Sequence, residues 1–160
     1  MQHRIRAAGV LIRDGAMLLL RVKDFSGEYW IPPGGGLEAE DKSTKQCLIR
    51  EFREEAGLVV EVGELICVRE FYETHLDRYN AEFFYLIDDY QGVPHLSNLV
   101  GLNDENYIQA LDWVPIPLLE DMRIYPKELK GKLLDLIEAG QFSNHLGSYV
   151  QGIREDINQL

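Results

Sequence analysis

The chain has 160 residues and carries 27 acidic against 16 basic side chains, a net charge of −11. That length suits one domain with a sizeable core. The acid excess argues against a duplex nucleic acid partner, whose affinity rests on Lys and Arg neutralising phosphates. No apolar run approaches the roughly 18 to 20 residues that span a bilayer, so a membrane segment is not expected.

The N-terminal stretch MQHRIRAAGVLIRDG has arginines interrupting its apolar residues and lacks the apolar core and cleavage site of a secretory signal. Cys47 and Cys67 have no metal-ligand spacing, and none of His3, His75, His95 and His145 pairs with another at helical spacing. These features predict reduced thiols, a cytoplasmic protein and no histidine metal site.

In chain order, residues 4 to 23 read as two strands joined by a hairpin at Asp14-Gly15, a pair that tolerates positive φ. Residues 24 to 36 read as a loop, with Gly27, Pro32, Pro33 and the triplet Gly34, Gly35, Gly36. A helix follows over about 44 to 56, bracketed by the capping-box pair Ser43 and Gln46 and by Gly57. Leu48, Ile49, Phe52 and Ala56 share one side of it, and Glu51, Glu54 and Glu55 cluster away from that side.

The run LVVEVGELICVREFYE reads as a strand with a bulge or bend at Gly63, and YNAEFFYLID as its hairpin partner across THLDR. A long loop spans 90 to 107, ALDWV is a further strand, and 126 to 139 is a second amphipathic helix. The tail, 141 to 160, is expected to be a helical extension of a single domain covering 1 to 160. The pattern as a whole is α+β with a mixed sheet.

Three like charges on one helical face repel, so a bound cation or plain solvation must offset them. An isolated RExxEE would favour solvation. Here the string GGGLEAEDKSTKQCLIREFREEAGL resembles the signature of the Nudix hydrolases: Gly, five residues, Glu, seven residues, then Arg-Glu-U-x-Glu-Glu-x-Gly-U, with U bulky and apolar. Arg50, Glu51, Phe52, Glu54, Glu55, Gly57 and Leu58 fill its second half, Phe52 being aromatic where an aliphatic residue is usual. In the first half a one-residue insertion leaves Asp41, or else Glu40, at the first glutamate position. AAGVLIRDGAMLLLRV before WIPPGGG is similar to the family's opening, and the resemblance extends over about 7 to 120.

The resemblance implies a Nudix-type α/β/α sandwich and hydrolysis of the diphosphate linkage of a nucleoside diphosphate derivative, with Mg²⁺ or Mn²⁺. Oxygen-only ligands suit such hard cations. It implies Glu51, Glu54, Glu55 and the Gly35 carbonyl as metal ligands, with Glu51 a third ligand or the base. Arg50 would orient a carboxylate. Glu82, Asp104 and Glu105 are further candidates for the base, Glu82 first among them. Arg6, Arg21, Trp30 and Arg69 are candidates for substrate binding, and Tyr29, Phe71, Tyr72 and Tyr79 for stacking a base. The alternative is a catalytically silent nucleotide-sensing module on the same fold. A homodimer is suggested by family analogy alone.

Overall fold

The computed structural model describes residues 1 to 151, with side chains through residue 144. Two sheets form its centre. The first has the order β5-β1-β7-β6-β9, made of Gly34–Gly36 (β5), Gln2–Val10 (β1), Arg78–Gln91 (β7), Val59–Glu73 (β6) and Asn144–Gln151 (β9). β1 runs parallel to β7 and antiparallel to β5, while β6 runs antiparallel to β7 and parallel to β9. The second sheet is antiparallel and built on β3 (Ala16–Asp24), paired with β2 (Ile12–Arg13), β4 (Gly27–Ile31) and β8 (Ile108–Pro115).

The Asp14-Gly15 hairpin forms as the sequence indicates, with positive φ at both residues. The first strand does not run through it unbroken, however. The chain leaves the first sheet after Val10 and enters the second at Ile12, with Leu11 fully buried between them. Residues 24 to 36 are likewise more ordered than a loop, since β4 and β5 both lie within them. At Gly63 the β6–β7 register shifts, where a bulge was expected.

Helix α1, Thr44–Ala56, is set by its ends. Ser43 accepts a hydrogen bond from the Gln46 amide, and Gly57 closes the other end in the left-handed region at φ 68°. Its Leu48, Phe52 and Ala56 are fully buried against Ala7, Leu11, Leu18 and Leu58. Each large side chain so buried is worth about 1.5–3 kcal/mol. The aromatic ring at Phe52 fits because Gly9 lies beneath it; a β-carbon there would come within 2.5 Å of the ring.

The opposite face is covered by α2, Lys132–Glu138, and the short 3₁₀ segment Lys127–Lys130, whose Leu129, Leu133 and Leu136 pack on Ala8, Val10, Ile66 and Phe84. Alternate residues of β1, β3 and β7 therefore serve two cores. The second helix is shorter than the 126 to 139 expected, because the backbone is not helical at Gly131. The tail expected to be helical is instead a strand over Asn144–Gln151, aligned along the open edge of β6; residues 152 to 160 lie outside the described residues. The result is an α+β fold with a mixed sheet between helices. Among the described residues no helix is long and apolar enough to cross a membrane.

Candidate active site

The glycine triplet brings β5 against β1 and α1 at once. Gly34 lies on the β1 backbone, where any β-carbon would strike the Ala7 carbonyl, and its φ of 152° favours glycine. A β-carbon on Gly35 would enter the Glu51 carboxylate, and one on Gly36 would come within 2.8 Å of Arg4 Nε. At Gly34 the obstacle is backbone, whereas at Gly35 and Gly36 it is the end of a long side chain that a β-carbon would have to displace.

Glu51 and Glu55 face this strand and are nearly fully buried. The Gly34 amide donates to Glu55 Oε2 over 2.8 Å. Burial pushes the Glu51 carboxyl up to about 7, helped by the nearby Glu54 and Asp104 charges and opposed by Arg50. Burial and then the Glu51 charge push Glu55 well upward too, against the Gly34 hydrogen bond and Arg6. Glu54 is the more open member of the three, its side chain 34% exposed. All three line one cleft of about 160 Å³, together with Glu38, Arg50 and the 99 to 104 segment that carries Asp104.

Arg50 organises the acids. Its Nη1 donates to Glu51 Oε1 at 2.9 Å and to Glu54 Oε2 at 3.2 Å, and its Nη2 donates to the Gly36 carbonyl at 3.0 Å. Asp41 receives two further bonds, from Nε at 3.2 Å and Nη2 at 2.8 Å. These bonds hold the Asp41 carboxyl below the usual range. Asp41 is therefore the carboxylate that the loop before α1 delivers to the acidic helix, whereas Glu40 is exposed.

Among the described residues no group of three or more His, Cys, Asp and Glu side chains is arranged so that it could hold a metal ion. The arginine draws two of the carboxylates to itself instead. The donor set nevertheless fits a hard divalent ion: oxygens only, crowded at a cleft, with two of them in surroundings that disfavour bare negative charge.

A larger cavity of about 420 Å³ lies on the other side of β1. Arg6, Arg69 and Glu82 line it, as do Tyr29 and Phe71. Glu82 is tied to Arg6, accepting from its Nε at 3.2 Å, and it lines this cavity and not the acidic cleft. Asp104, the second candidate for a base, does line the cleft; Glu105 accepts from the Gly101 amide in its own turn. Arg21 does not reach the cavity and pairs with Glu28 at 3.2 Å. Trp30 points to the core beneath, away from its cavity-lining neighbours Tyr29 and Ile31. Tyr72 bonds to Asp77 on the surface.

Tyr29 is among the stacking candidates, but its cavity neighbours Asp24, Tyr107, Arg123 and Tyr125 carry no signal in the sequence. Tyr29 OH bonds to Asp24 Oδ2 at 2.9 Å and lies 2.8 Å from Tyr107 OH. Arg123 lies over the Tyr29 and Tyr125 rings at 5.2 and 5.7 Å, and donates to Ser26. They come from separate segments, so no local spacing announces them.

The NUDIX domain family model matches residues 3–134. An uncharacterised Nudix hydrolase of Bacillus subtilis, YvcI, is 30% identical over 135 residues, which is 82% of this chain and 77% of that protein. A MutT-like protein of Streptomyces ambofaciens is 42% identical over 64 residues, 39% of this chain and 40% of its own. Among solved structures, the E. coli ORF135 protein superposes with a TM-score of 0.66 at 24% identity, covering 87% of this chain and 91% of that one. Sequence match, glycine strand and acidic helix agree: the chain belongs to the Nudix family and is a Nudix hydrolase.

Proposed function

We propose that the protein is a divalent-metal-dependent hydrolase that cleaves the diphosphate linkage of a nucleoside diphosphate derivative by attack of water on phosphorus. The observation that carries this reading is the convergence of Glu51, Glu54 and Glu55 on one cleft beside the glycine strand. Glu54 and Glu55 would hold Mg²⁺ or Mn²⁺ with the Gly35 carbonyl, and Glu51 would be a third carboxylate ligand or the base. Bound there, the ion supplies charge neutralisation of the diphosphate and a more acidic water.

The chain's own residues do the rest. With an ion in the cleft, Arg50 would give up Glu51 and Glu54 while Asp41 still held its guanidinium. Glu51 and Asp104 come from different elements that meet at the cleft, and either can take the proton from the attacking water. Glu82 is engaged by Arg6 across β1 and β7, in the larger cavity and not at the acidic cleft. The nucleoside would occupy the larger cavity, where Tyr29, Tyr107, Tyr125 and Phe71 offer aromatic surface. Arg6 and Arg69 would face its phosphates. Two free, buried cysteines favour a cytoplasmic setting.

The test is a panel of nucleoside triphosphates, sugar nucleotides, dinucleoside polyphosphates and dinucleotide cofactors, assayed with Mg²⁺ or Mn²⁺ and with excess EDTA. Turnover confined to the metal-containing arm is expected. Turnover that survives EDTA would overturn the reading, and tight binding with no turnover would favour the nucleotide-sensing alternative.

A further inference from the structure

We infer that Arg4 is a phosphate-binding residue, a position that takes a phosphate group of the substrate on the side of the glycine strand facing away from the acidic helix. The inference rests on the proposed diphosphate chemistry and deepens it.

Strand register fixes the setting. β1 and β7 run side by side with Gln2 opposite Arg78, Arg4 opposite Asn80 and Arg6 opposite Glu82. Side chains at alternate positions share a face, so Arg4 and Arg6 point the same way, with Arg78 and Glu82 beside them. Three arginines thus stand together on one face of a chain whose net charge is −11. Two of them are neutralised: Arg6 by Glu82 at 3.2 Å and Arg78 by Glu73 at 2.6 Å. Arg4, between them, has neither a hydrogen bond nor an ion pair among the described residues. Its register neighbour Asn80 carries no charge, and the Asn80 amide donates to Glu73.

The cost of this placement is visible. Burial, then the Arg6 and Arg78 charges, depress the Arg4 guanidinium below its usual range, more than Glu73 and Asp104 offset. An anion brought to Arg4 would remove that penalty and gain charge-assisted hydrogen bonds.

Its location fits the substrate. Arg4 Nε fills the space beside Gly36, and the Gly36 carbonyl accepts from Arg50. One residue of backbone therefore separates Arg4 from the acidic cleft, while Arg6, next on the same face, lines the large cavity. Arg4 itself lines neither space, and a diphosphate reaching from cavity to cleft around β5 would pass beside it. The acidic helix repels its charge, and Arg4 supplies the fixed positive charge on the far side.

The test uses inorganic pyrophosphate as the probe, titrated calorimetrically into metal-free protein in EDTA at low salt. The wild type should bind it at submillimolar to millimolar concentration. Arg4→Gln should weaken binding by about tenfold or more, Arg4→Lys should retain part of it, and Arg13→Gln, at an exposed pair with Asp89, should match the wild type. Unchanged melting temperatures would show that the variants fold. Binding by Arg4→Gln equal to wild type, or none by wild type, would overturn the inference. Because no metal is present, the result is independent of the hydrolysis panel. Arg4-dependent binding without turnover would remove the hydrolytic reading and leave the anion site standing.

Discussion

The carboxylate of Glu51 occupies the space that a β-carbon on Gly35 would need. The helix and the glycine strand are therefore fitted to each other at the position where the Nudix signature places both. Gly35→Ala must push the helix away or swing Glu51 out of the cleft. A loss of about 1–3 kcal/mol in stability is expected from the overpacking. Turnover should fall on the order of 10²-fold from misplacement alone. Thermal melts and steady-state rates check the two effects separately.

Glu55 is buried, and its charged form is disfavoured there. Glu55→Gln keeps an oxygen for the Gly34 amide and removes the buried charge. The variant should melt at or above the wild-type temperature in EDTA, yet lose turnover by about 10²-fold or more. Glu54→Gln should lose turnover similarly with little change in melting temperature, because Glu54 is partly exposed. Wild-type rates in both would return the helix to a solvated acidic face.

Removing Arg50 tests its second role, as the counter-charge of the acids. Arg50→Met leaves Asp41 and Glu51 without their partner. In EDTA the cost should be about 1–3 kcal/mol, less than for a fully buried pair because the arginine side chain is 22% exposed. Mg²⁺ should recover part of it. A melting temperature that falls but does not respond to Mg²⁺ would separate Arg50 from the metal site.

The acidity of Glu51 makes the metal-free protein sensitive to pH. The native carboxyl holds its proton up to about pH 7, and the unfolded one releases it near 4.5. Across that window the native carboxyl holds a proton that the unfolded one has lost, so the Glu51 contribution to stability falls as pH rises and reaches its least favourable value above pH 7. Melting temperature in EDTA should be higher at pH 5.5 than at pH 8, and added Mg²⁺ should raise it more at pH 8. Asp41, held low by Arg50, acts in the opposite sense, its contribution being lost only as pH falls below the usual carboxylate range.

Local chemistry made α1 legible before any coordinates: Ser43, Gly57 and a clean apolar period define it, and the acids follow from its geometry. The switch between sheets at Leu11 left no trace, because the run on both sides of it is apolar and its alternate residues are buried in either sheet. Gly131 looked like one weak position in an amphipathic period, and the backbone there breaks the helix. Asn144–Gln151 becomes a strand through pairing with a segment some 78 residues earlier in the chain, a non-local choice that periodicity does not report. For the same reason the acidic cleft was readable as a unit, whereas of the larger cavity only separate members, Arg6, Arg69, Glu82, Tyr29 and Phe71, were named from the sequence. The first comes mainly from one helix, whereas Asp24, Tyr107 and Arg123 meet only after folding.

The segment after β7 is fastened to the end of α1. The His95 amide donates to the Ala56 carbonyl at 2.9 Å, Asn98 Nδ2 donates to the Arg53 carbonyl at 2.7 Å, and the His95 ring lies where a side chain on Gly57 would stand. Asp104 follows a few residues later. The wall opposite the acids is thus anchored to the end of the helix, whereas the larger cavity draws its lining from β1, β3, β4, β6, β7 and the 123 to 126 region. A substitution in the larger cavity therefore leaves untouched the hydrogen bonds that anchor the cleft wall to the helix.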